Sequence, residues 1–63
     1  MSIGLNQRDY LCREAMKVLT LDFDRLWKAT ENMEEPEYKR LLATSYNDED
    51  KFKQLIQELY AKR

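Results

Sequence analysis

The chain has no histidine and a single cysteine, Cys12. Zinc sites take three or four Cys/His ligands, so a structural zinc centre is excluded. No disulfide can form within the chain. A nucleophilic cysteine needs an activating base, usually histidine, and Cys12 has none. The only glycine is Gly4, which excludes the glycine-rich loops that cradle phosphate. Asn47-Asp48-Glu49-Asp50 is rich in oxygen ligands. A calcium loop, however, spreads its ligands over about twelve residues around a central glycine, and this stretch has none. No cofactor is expected.

Pro36 is the only proline. Turn-rich β-proteins use more proline and glycine than this. No apolar run approaches the roughly 18 to 20 residues of a membrane span. Met1-Ser2-Ile3-Gly4-Leu5 lacks a basic segment leading into an apolar one, so no secretory leader is expected. A lone cysteine fits a reducing compartment. The expected setting is the cytoplasm, without membrane contact. The net charge is −1. Nucleic-acid binders usually carry a strong basic excess, so nucleic acid is not expected as the sole ligand.

What is present points to helices. Apolar residues make up 43% of the 63 positions and charged residues 37%, too much apolar material for disorder. The length suits one domain. A chain this short buries only about 60% of its unfolded surface, so economical packing or a second chain must complete its core.

Helical spacing recurs four times. A first helix is expected over about Gln7–Leu19 behind an Asn6 cap. Leu11, Ala15, Val18 and Leu19 form one apolar stripe, and Cys12, Ala15, Met16 and Leu19 a second. A second helix is expected over about Leu21–Asn32, capped by Thr20. Its stripe is Phe23, Leu26, Trp27, Thr30 and Met33. Glu34-Glu35-Pro36-Glu37 marks the next start, since proline suits the first helical turn. That helix carries Tyr38, Leu41 and Leu42 to about Thr44. Ser45-Tyr46-Asn47-Asp48 reads as a break, and Asn47 or Asp48 caps a last helix reaching about Lys62. Phe52, Leu55, Ile56, Leu59 and Tyr60 give it the cleanest pattern. Acids at its start and bases at its end complement the helix dipole, and Glu49 and Lys53 stand as an i,i+4 pair.

The expected fold is all-α: one domain over residues 1–63, a small three- to four-helix bundle with short connections, and residues 1–5 as a disordered end. Leu11, Ala15, Leu19, Phe23, Leu26, Trp27, Leu41, Leu42, Phe52, Leu55, Ile56 and Leu59 should build the core.

Asp9-Tyr10-Leu11 and Thr20-Leu21-Asp22-Phe23-Asp24-Arg25-Leu26-Trp27 resemble the first two helices of the Hha/YmoA family of small expression modulators. Length and helix order are also similar. Ala43-Thr44-Ser45-Tyr46-Asn47-Asp48 does not reproduce that family's third-helix signature. The resemblance implies an all-helical protein without enzymatic activity that silences genes by docking on a nucleoid-structuring protein.

The first helix is apolar on two sides, and a domain this small covers one of them well. The surplus of Tyr10, Cys12 and Met16, with the charged strip Arg13 and Lys17, is the candidate protein interface. The expected function is non-enzymatic: binding a protein partner and modulating its activity, gene expression included. Three rival readings remain. A homodimer would bury this face against itself. An inhibitor from a phage or mobile element would present Glu34, Glu35, Asp48 and Asp50. A weak DNA-binding regulator would use the basic strip Arg8, Arg13 and Lys17, with steep salt dependence.

Overall fold

A computed structural model describes residues 3–62. It is an all-α bundle of four helices: α1 Leu5–Val18, α2 Phe23–Ala29, α3 Glu35–Asn47 and α4 Glu49–Ala61. The expected stripes converge on one core. Leu11, Cys12 and Ala15 of α1 meet Leu26 of α2, Tyr38 and Leu41 of α3, and Phe52 and Ile56 of α4. Leu19, Phe23, Trp27, Leu42, Leu55 and Leu59 pack around this centre half-buried.

Several boundaries move, each for a physical reason. α1 starts two residues early, capped at Gly4 instead of Asn6. The Gln7 side chain accepts from the Gly4 N–H at 2.9 Å, which is half of a capping box. Residues 3–5, expected to be disordered, are placed. Ile3 is buried, and its N–H donates to the Met33 carbonyl at 3.1 Å. Residues 1 and 2 lie outside the described residues.

α2 is shorter at both ends than its apolar spacing suggests. Asp22, not Thr20, is the cap, accepting from the Arg25 N–H at 3.3 Å. The preceding connection runs extended from Leu19 and brings Leu21 against the core. At the other end the helix tightens. Glu31 donates to Lys28 and Met33 to Thr30, both three residues back, the pattern of a 3₁₀-type ending.

α3 runs past the expected break to Asn47. Thr44 Oγ1 donates to the Arg40 carbonyl at 2.8 Å, and Ser45 Oγ to the Leu42 carbonyl at 2.6 Å. Their hydroxyls are thus satisfied inside the helix and do not interrupt it. Only Asp48 separates α3 from α4. Its N–H donates to the Thr44 carbonyl at 2.8 Å, and its carboxylate accepts from the Lys51 N–H at 3.1 Å. It closes one helix and opens the next. Glu37 and Arg40 near the start of α3 face Glu58 and Lys62 near the end of α4, so the two helices form an antiparallel hairpin.

α1 and α2 are joined by a buried guanidinium. Arg8 is only 9% exposed. Its Nη2 donates to the Trp27 carbonyl at 2.6 Å and its Nε to Thr30 Oγ1 at 3.3 Å. Its guanidinium carbon sits 4.0 Å from the centre of the Trp27 ring. A positive charge at a helix C-terminus is favourable, and more so when partly buried. Thr30, wholly buried, donates its hydroxyl to the same carbonyl at 2.9 Å. Its proton is thereby committed, so the Cys12 thiol is the donor in their 3.8 Å contact.

Arg8→Ala should destabilise the fold by about 2 to 4 kcal/mol, because it removes charged hydrogen bonds from groups that stay buried. Arg8→Lys should recover only part of this, since an ammonium can neither fork nor stack as the guanidinium does. Urea denaturation of the three proteins is the measurement. A loss near about 0.5 kcal/mol for Arg8→Ala, typical of surface substitutions, would refute the assignment.

Candidate protein-docking surface

The five residues singled out on α1 do not stay together. Cys12 drops out: it is wholly buried beneath the helix, in contact with Thr30. Burial raises its thiol pKa, which keeps the thiolate scarce at neutral pH. Position and ionisation both work against a role as a surface contact or a nucleophile. Arg8, expected in a basic strip with Arg13 and Lys17, is likewise turned inward. The strip is reduced to two cations, each beside an acid.

The other four residues reach the surface. Tyr10 is 42% exposed and turns toward α3, where its hydroxyl meets that of Tyr46 at 2.6 Å. Tyr46 is well exposed, and the pair bridges α1 and α3 from the outside. The Tyr46 hydroxyl, with some desolvation and neighbouring negative charge, pushes the Tyr10 pKa up to about 12. Tyr38, deeper in the same region, is raised by burial.

Arg13, Met16 and Lys17 face α2. Together with Phe23 they line an open depression of about 420 Å³ at the α1–α2 seam. Met16 and Phe23 are half-buried and form its apolar part. Arg13 sits at one side, its guanidinium carbon 5.9 Å from the Phe23 ring centre. Its Nε donates to Asp9 Oδ2 at 2.9 Å, one turn back. Lys17 holds Glu14 at 2.7 Å. Neither acid lines the depression.

Phe23, expected in the core, packs against it half-buried and also lines the depression. It stacks on Trp27 with ring centres 6.1 Å apart. Trp27 in turn lies under Arg8. The four side chains form a row, Arg8–Trp27–Phe23–Arg13, that runs from the interior to the surface. Cation–aromatic contacts of this kind hold side chains in fixed orientation. The one signal available beforehand was position, since an aromatic in the first turn of a short helix has little chain around it to cover it.

Two of the acidic residues expected on an inhibitor's surface are engaged locally. Asp48 caps α4 and Glu35 pairs with Lys39 at 3.0 Å. Among the described residues, no cluster of three or more Cys, Asp or Glu is placed to hold a metal ion. No helix among them is long and apolar enough to cross a membrane.

Two outcomes follow. Tyr10 binds its proton more tightly in the folded state than in the unfolded one. Its contribution to stability is therefore present below pH 10 and lost as pH rises toward about 12. Absorbance titration at alkaline pH should show Tyr10 ionising late, and Tyr46→Phe should bring it back toward its ordinary range. Titration of Tyr10 at an unshifted pKa in the parent protein would remove the pair. Cys12 should react with a thiol reagent only as fast as the fold opens, so its labelling rate should follow urea-dependent unfolding. Immediate labelling without denaturant would contradict its burial.

Comparison with family models, curated proteins and solved structures returned no match for this chain.

Proposed function

We propose that this chain is a small, non-enzymatic binding module that docks a protein partner on the α1–α2 seam and modulates that partner's activity. The depression built by Arg13, Met16, Lys17 and Phe23 carries the proposal. Its composition suits protein recognition. Aromatic residues and arginine dominate interface hot spots, and methionine adapts its shape to what it contacts. The half-buried Phe23 is held from behind by Trp27 and Arg8, so little order has to be gained on binding. The buried Cys12 and the absence of histidine speak for binding over catalysis. Control of gene expression is the form of modulation implied by the resemblance to the Hha/YmoA modulators. With Arg8 buried, DNA contact through the basic strip loses one of its three cations.

The test is capture with tagged protein, identification of what is captured, and reconstitution from purified components. Met16→Lys puts a charge on the apolar part of the depression and should weaken the reconstituted complex at least about tenfold, or about 1.4 kcal/mol. Circular dichroism of the variant should stay helical. Unchanged affinity in a folded Met16→Lys protein would exclude this surface. Sedimentation at several concentrations separates a monomeric module from a homodimer that buries the same face.

A further inference from the structure

The lining of the depression has a sign. Two of its four residues are cations, two are apolar, and none is acidic. Asp9 and Glu14 hold Arg13 and Lys17 along the helix, outside the depression. Both cations are 70% exposed; the open Arg13–Asp9 pair is of the weak kind that exchanges for a better-placed carboxylate, while Lys17 can meet a second carboxylate without giving up the half-buried Glu14. Arg13 uses Nε for Asp9, which leaves its terminal nitrogens for a second acceptor. Its exposed guanidinium carbon lies 5.9 Å from the centre of the Phe23 ring, which offers an apolar face on one side. Guanidinium is weakly hydrated and pairs well in such surroundings. Lys17 stands one helical turn away, so the two cations are spaced to meet two carboxylates one turn apart on a facing segment.

Resting on the docking surface proposed above, we infer that its occupant is an acidic helical segment of a partner protein. One large apolar side chain seats on Met16 and Phe23, and a carboxylate on each flank meets Arg13 and Lys17. A basic segment would place like charges together at both ends, and a neutral one would leave both cations with their local partners. An anionic membrane surface would offer negative charge but no seat for a single apolar anchor between two cations.

The probe is a synthetic alanine-rich helical peptide with one leucine and two glutamates one turn apart around it. The readout is the Met16 methyl resonance and the backbone amides of Arg13, Lys17 and Phe23, with buried Met33 as internal control. The glutamate peptide should bind about fivefold more tightly than its glutamine counterpart in low salt. The lysine counterpart should bind most weakly, and added salt should compress the series. In the folded Arg13→Gln/Lys17→Gln double variant, the preference for glutamate over glutamine should vanish. In these titrations the inference is overturned by equal binding of the three peptides, by shifts confined to other faces, by a Met16 shift that follows protein concentration alone, or by one produced by phosphatidylserine vesicles and not by the glutamate peptide. A partner that is sensitive to Met16→Lys but docks without carboxylates would overturn this chemistry and leave the docking surface standing. A partner insensitive to Met16→Lys would remove the surface itself.

Discussion

The Trp27 carbonyl is the point on which this small fold turns. It accepts from Arg8 Nη2, from the Thr30 hydroxyl and from the Thr30 N–H. A carbonyl near the end of a seven-residue helix would otherwise face the interior without a full complement of donors. Supplying them from α1 ends α2, fixes its position against α1, and places a cation at the negative end of its dipole. A charge inside so small a domain is tolerable because it is engaged: two hydrogen bonds and an aromatic face hold it. With a single cysteine the chain can form no internal disulfide, and this knot does part of the work that such a staple does elsewhere.

From that point the outer surface inherits its order. Arg8 fixes the Trp27 ring, Trp27 supports Phe23, and Phe23 meets Arg13. The depression beside Met16 is shaped by side chains whose orientation is set in the interior. The opposite flank of α1 is tied differently, through the Tyr10–Tyr46 hydroxyls to α3. α1 thus touches every other helix and also carries the surface proposed for docking.

How much of this was legible depended on the range of the interactions. α4 was clear because everything that defines it is local: the Phe52–Ile56–Leu59 stripe, the Asp48 cap and the Glu49–Lys53 pair, which closes at 3.7 Å. α2 was overestimated because its end is set by Arg8, nineteen positions away in sequence. Ile3 reads as a loose end in the sequence because its anchor, the Met33 carbonyl, belongs to a distant turn. α3 reads short because Ser45-Tyr46-Asn47-Asp48 has the composition of a break until the Ser45 hydroxyl is seen bonding backward to the Leu42 carbonyl. On the site, the surface positions of Tyr10, Arg13 and Lys17 followed from helical spacing. Cys12 did not, because it lies on the arc of α1 that turns toward Thr30, and nothing local distinguished the two apolar arcs. Arg8 reads as an ordinary surface base until its partners on α2 are known.

Asp48 has a consequence for how the chain can vary. One residue ends α3 with its N–H and starts α4 with its carboxylate, and nothing else lies between the helices. Removing or adding a residue there would rotate α4 by about 100° relative to α3 and swing Phe52 and Ile56 away from the core. Residues 19–22, by contrast, form an irregular crossing in which Thr20 is exposed to solvent between Leu19 and Leu21, which pack against the core. A change of length at Thr20 therefore disturbs the bundle less than one at Asp48, where the phase of a whole helix depends on a single residue.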